Sequence, residues 1–156
     1  MKINGKEVIG NMPEVVVIPK GNEEFVFKAT AILSYDEFDK LCPMPQPPTI
    51  TKPGGVSYPN YDDKKYEAAV DEWATRKNAW MVLESLKVTD GLEWSTVVAG
   101  DPATWPNYMD ELKLVFTAAE INCIIDLIFV ANGLDQKKID EATKRFLAGE
   151  VKGQDE

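Results

Sequence analysis

Six of the ten prolines fall between Pro43 and Pro59, and this stretch limits the fold more than any other feature. Proline has no N–H to donate and holds φ near one value, so neither a helix interior nor a central strand can include Pro43, Pro45, Pro47 and Pro48. The chain must cross here on an extended, polyproline-like path. Regular structure therefore divides into residues 1–41 before the crossing segment, 42–60, and residues 61–148 after it. Inside the segment, Lys52-Pro53-Gly54-Gly55 reads as a turn joining Thr49–Thr51 to Val56–Tyr58 in a hairpin.

The part before the prolines has strand character. Asn4-Gly5 is a strong tight-turn signal, because both residues tolerate positive φ, and Ile3 and Val8 flank it. Val15 to Ile18 is a β-branched run closed by Pro19. Phe25, Phe27 and Ala29 alternate with Val26, Lys28 and Thr30, so a small antiparallel sheet is expected with its turn at Lys20 to Asn22. Ser34 and Glu37 have the spacing of a capping box, which predicts a short helix from Tyr35 to Leu41.

The part after the prolines reads as a bundle of about four helices. From Asp62 to Lys87, the residues Tyr66, Ala69, Val70, Trp73, Trp80 and Leu83 recur on one face, with Asp62 or Asp63 as the cap. Leu92 to Val98 is either a short strand or an irregular link. Asp101-Pro102 marks a helix start, and helix is expected from Ala103 or Asn107 to Leu114. Thr117 and Glu120 form a second capping box, opening a helix to Ala131 that is apolar on nearly every face and belongs in the core. Replacing Ile125, near its middle, by Asp is expected to unfold the domain, since an unpaired charge in a core costs several kcal/mol. Asn132-Gly133 should end that helix in a left-handed conformation, with Asp135 capping a last helix whose buried stripe is Ile139, Ala142, Phe146 and Leu147. Residues 149–156 are polar and expected to fray. The fold class is thus α+β, in a single domain, since 156 residues suffice for one core.

Charge and residue types narrow the function. With 26 acidic against 17 basic residues and a net charge of -9, the chain repels phosphate backbones and anionic lipid, so neither nucleic acid nor membrane is an expected partner. The apolar run Ile121 to Ala131 is broken by Asn122 and Asp126 and is shorter than the roughly 20 residues of a membrane span. The N-terminus has no signal-peptide pattern, which by default places the protein in the cytosol. There is no histidine, and the only cysteines are Cys42 and Cys123, so the common zinc spacings are missing and no cofactor is expected. Cys123, inside an apolar helix, reads as a small core residue.

No catalytic residue is assigned. Asp62 and Asp63 are explained as caps, Asp71 and Glu72 as solvated positions, and Ser57, Ser85 and Ser95 have no histidine to activate them. Binding is the remaining chemistry. Pro43, Pro45, Pro47, Pro48 and Tyr58 form an extended strap that either packs on the protein itself or docks on another, since an extended backbone loses little entropy on binding. Trp73 and Trp80 fit a core by spacing; Trp94 and Trp105 fit either a core or an interface and are grouped with the strap as candidate partner-binding residues.

Taken together, the chain resembles the tail assembly chaperones of tailed bacteriophages. The pieces that carry the resemblance are Cys-Pro-Met-Pro-Gln-Pro-Pro at 42–48, Trp-Met-Val-Leu-Glu-Ser-Leu at 80–86, and Leu-Glu-Trp with Asp-Pro-Ala-Thr-Trp between 92 and 105. Ala-Asn-Gly-Leu-Asp at 131–135 and Ala-Thr-Lys-Arg-Phe-Leu at 142–147 complete them. The resemblance implies a non-enzymatic protein in the cytoplasm of an infected bacterium, binding the tape-measure protein or tail-tube subunits before the tail polymerises. A minor structural protein of the virion and an acidic inhibitor of a host nuclease or defence protein are the alternatives.

Overall fold

The computed structural model describes residues 1–10, 12–133 and 136–149. Among the described residues, three two-stranded antiparallel hairpins and five α-helices follow one another along the chain. The fold is α+β, but the N-terminal strands do not merge into one sheet.

The first hairpin pairs β1 (Lys2–Ile3) with β2 (Lys6–Glu7), and both turn residues sit at positive φ, 51° for Asn4 and 75° for Gly5. The second pairs β3 (Glu14–Lys20) with β4 (Glu23–Ala29). Its turn is only Gly21-Asn22, with Gly21 at φ 61° in the first central position, where glycine avoids a Cβ clash. Pairing of Val16 with Phe27 and Ile18 with Phe25 puts these side chains on one face. That face covers the core, leaving Val15, Val17 and Val26 on the other face, exposed. Pro19 is tolerated because β3 is an edge strand.

Helix α1 (Asp36–Leu41) lacks the expected capping box: Ser34 Oγ accepts from the Asp36 N–H at 3.2 Å, and Tyr35 at the cap position makes no side-chain bond. The third hairpin, β5 (Thr49–Thr51) with β6 (Ser57–Pro59), lies where the Gly54-Gly55 turn predicted it. Helix α2 (Lys64–Leu86) is capped by Asp63, whose carboxylate accepts the Tyr66 N–H at 2.9 Å. Residues 92–98 are irregular rather than a strand. A 3-10 turn, Pro102–Thr104, then leads into α3 (Asn107–Val115). Helix α4 (Ala118–Ala131) has the full capping box, with Thr117 and Glu120 each bonding the other's backbone N–H. Gly133 follows at φ 68°, whereas Asn132 stays at negative φ. Helix α5 is Gln136–Leu147. The cap assigned to Asp135 and the fraying expected beyond Gly149 lie outside the described residues.

Two apolar clusters share α2. The first joins Ile18, Phe27 and Ala29 of the hairpin to Val82 and Leu86 of α2, Leu112 of α3, and Ile121, Ile124, Leu127 and Ile128 of α4. The second holds Phe38, Cys42, Ala79, Trp80 and Trp105. Because clusters press on α2 from different sides, its most buried residues near the C-terminus (Ala79, Val82, Ser85, Leu86) fall largely outside the single stripe inferred from spacing. Ile124 and Ile128 are the fully buried isoleucines of α4, whereas Ile125 lies at the rim of the first cluster.

Polar groups tie the parts together. Asn132 accepts the Ile32 N–H at 2.9 Å through Oδ1, while Nδ2 donates to Ser85 Oγ at 2.9 Å and to the Ile128 carbonyl at 2.8 Å. The end of α4 is thereby fastened to α2 and to the segment after β4. Ser85 is buried in this network and has a structural place.

Two sequence expectations fail for one reason. Cys123 is exposed on α4, and the α5 stripe is uncovered, with Ile139, Phe146 and Leu147 all exposed and no buried residue in the helix. Periodicity shows that a face is apolar, but not that anything packs against it.

Candidate docking surface

Catalysis needs converging polar groups, and Asp62, Asp63, Asp71 and Glu72 do not converge. Asp63 is occupied as the α2 cap. Glu72 pairs with Arg76 at 2.6 Å on the exposed side of the same helix, and Asp71 is exposed. Among the described residues no three cysteine or carboxylate side chains are grouped to hold a metal ion, and no helix is long and apolar enough to cross a membrane.

The proline strap divides into an anchored half and a projecting half. Cys42 at its start is buried beside Phe38, and its carbonyl accepts the Trp73 indole N–H at 3.1 Å. Pro45 and Pro47 are half-buried, while Pro43 and Pro48 are exposed. From Thr49 to Pro59 every residue is exposed. The projecting hairpin holds itself together by local bonds: Asn60 N–H donates to the Pro48 carbonyl at 2.7 Å, and Lys52 N–H to the Val56 carbonyl at 2.8 Å. Lys52 Nζ sits 4.8 Å from the centroid of the Tyr58 ring, a contact worth about 0.5–1 kcal/mol at an exposed site. Ile50 pairs with Tyr58 across the strands. With Val56 at the tip, they give the arm an apolar surface facing solvent.

The two undecided tryptophans are placed by the core. Trp105 is 1% exposed, stacked among aromatics with its ring 6.1 Å from Phe38 and its indole N–H bonded to the Ala99 carbonyl at 3.2 Å. It offers no surface to a partner, which corrects its inclusion with the docking residues. Trp94 is half-buried, edge-on to Tyr108 at 6.3 Å, and contributes one wall of a cleft of ≈ 200 Å³ shared with Trp80, Leu83 and Val97.

Glu111 braces the segment that carries Trp94. Its carboxylate accepts the N–H of Ser95 at 2.6 Å and both the N–H (3.1 Å) and hydroxyl (2.8 Å) of Thr96. Desolvation is the largest single influence on this carboxyl and would raise its pKa; the bonds from Ser95 and Thr96 together outweigh it and hold it below the usual 4.5. Glu120 is lowered as well, by the Thr117 N–H first and then by Lys20, whose Nζ lies at 3.0 Å. A carboxyl with a depressed folded-state pKa adds stability above its unfolded value and loses it as pH falls through the folded value. The melting temperature should therefore decline as pH drops below about 4.5, and Glu111→Gln should make that decline shallower. Thermal melts across this range test it; an identical acid slope in the variant would count against the brace.

Residues missed from sequence are Ile50 and Val56, which belong to the arm as much as Tyr58; the hairpin signal itself was the available clue. Comparison of the chain with protein-family models, with curated proteins and with solved structures finds no match.

Proposed function

We propose that the protein is a non-enzymatic binding protein whose client is a phage tail protein, the tape-measure protein or a tail-tube subunit, as its resemblance to tail assembly chaperones implies. The observation that supports docking is the projecting arm: Ile50, Val56 and Tyr58 stay exposed on a hairpin held by its own backbone bonds, with flanking prolines that restrict its backbone. A preformed arm loses little entropy when it binds, so modest apolar area yields useful affinity. Holding a client before polymerisation requires covering apolar surface and then releasing it, which needs no reactive group.

Because the arm touches the core only at its base, it can be altered without unfolding the protein. The double variant Ile50→Ser, Tyr58→Ser should keep the melting temperature within a few degrees and reduce capture of the co-expressed tail protein by about tenfold or more, as hot-spot truncations do. Replacing Pro45, Pro47 and Pro48 together by Ser should weaken capture too, with some loss of stability from half-buried Pro45 and Pro47. Pull-down of neither the tape-measure nor the tube protein by the folded wild-type chain would overturn the proposed client.

A further inference from the structure

The hydrogen-bond parity of the β3–β4 hairpin identifies an open edge. Lys28 directs its N–H to Thr89 Oγ1 at 2.9 Å and its carbonyl accepts from the same hydroxyl at 2.8 Å, while Thr30 N–H bonds the Ser85 carbonyl at 3.0 Å. The backbone groups of Lys28 therefore point away from β3, which makes Lys28↔Val15 a non-hydrogen-bonded pair. By alternation, Val15, Val17 and Pro19 turn their backbone polar groups outward, away from β4. Part of the β4 edge is thus closed by Thr89 and Ser85. Among the described residues no backbone group bonds the outer edge of β3, and beside it runs a groove of ≈ 300 Å³ lined by Val16, Val17, Pro19, Ala119, Glu120 and Cys123.

We propose that β3 pairs antiparallel with β3 of a second copy of this chain, with Val16 on the two-fold axis, forming a continuous four-stranded sheet. Two features select this occupant and this register. Pro13 and Pro19 lack N–H groups, so Val15 and Val17 hold the only outward donors between them. Placing Val15 opposite Val17 of the second copy uses both donors and both carbonyls reciprocally, in four hydrogen bonds by symmetry. Charge complementarity agrees: β3 begins with Glu14 and ends with Lys20, so antiparallel self-pairing sets Glu14 diagonal to Lys20 of the second copy on the same face, twice over, where Glu14 would share the ammonium that Glu120 already holds at 3.0 Å. Pairing in parallel would bring like ends together. On α4, the small exposed residues Ala119 and Cys123 line the groove on the side of the axis.

The test uses the full chain. Sedimentation equilibrium should show a concentration-dependent rise from the single-chain mass to twice that mass. Val17→Pro removes an outward donor without touching the β3–β4 ladder and should weaken dimerisation about thirtyfold, two symmetry-related hydrogen bonds being lost. If that variant does not fold by circular dichroism, Val17→Lys decides instead, because a lysine on a pairing edge disfavours strand addition; at least a tenfold loss is expected. Val26→Lys changes the same exposed face on the other strand and should leave the dimer intact. A short thiol-to-thiol crosslinker should join two copies through Cys123, Cys42 being buried, and Cys123→Ser should abolish the product. A single-chain mass up to about 1 mM, where binding becomes negligibly weak, would overturn the pairing. So would a dimer unaffected by the folded Val17 variants, or one lost equally in Val26→Lys.

Discussion

Replacing Ile124 by Asp is expected to leave no folded population at neutral pH. Ile124 has no solvent exposure and belongs with Phe27, Ala29, Leu86, Leu112 and Leu127 to the first cluster, whose buried members are all apolar. An unpaired charge in such a site is resolved only by protonation or by unfolding, and either takes several kcal/mol from a total stability on the order of 5–15 kcal/mol. Cavity formation adds to this, since the shorter side chain leaves space that helix and hairpin cannot both close. Circular dichroism and a denaturant melt check the outcome. Ile125→Asp is the informative comparison: at the rim its carboxylate reaches water, so the loss should be smaller and the chain should still fold. Equal loss in the two variants would show that the described rotation of α4 is wrong.

The second large effect is expected from Phe38→Ala. This ring is fully buried in the second cluster, with centroids 5.9 Å from Trp73, 5.7 Å from Trp80 and 6.1 Å from Trp105. Lys77 Nζ caps the group, 4.9 Å from both Tyr35 and Trp73. Removing a buried phenylalanine ring costs about 3–5 kcal/mol, which for a chain of this size lowers the melting temperature by roughly 10 °C. The effect should not stop at stability. Phe38 is where α1 meets α2 and the 3-10 turn, and Cys42, four residues on, anchors the proline strap. Losing the ring should loosen the base of the arm, so tryptophan emission should shift to the red even below the melting transition. The exposed Asp39→Ala should change stability by no more than about 0.5 kcal/mol. A Phe38→Ala protein with wild-type melting temperature and emission would remove this cluster as the link between arm and body.

Much of the architecture was legible because its causes are local. The Asn4-Gly5 turn, the Asp63 cap, the Thr117 and Glu120 capping box and the Gly54-Gly55 turn are each determined by a few neighbouring residues whose backbone demands have few solutions. Where local chemistry was ambiguous the reading failed. Ser34 and Glu37 have capping-box spacing, yet a six-residue helix held by Phe38 in the core does not depend on that cap. The candidate docking surface was legible as a region and not as a list: the strap and Tyr58 were identifiable, Ile50 and Val56 were not singled out although they are exposed on the same hairpin, and Trp105, grouped with them, is buried.

Residue order alone determined where the chain turns, caps and stretches, because those events settle within a turn or two of backbone. Only the tertiary structure decided which apolar face is covered. Ile124 and Ile125 are adjacent and chemically identical, and one is buried while the other lies at the rim because α2 and the β3–β4 hairpin approach α4 from a particular side. The α5 stripe is as regular as any in the protein, yet among the described residues it stays exposed, with none of its side chains buried. Burial belongs to pairs of surfaces, and a one-dimensional pattern describes only one member of each pair.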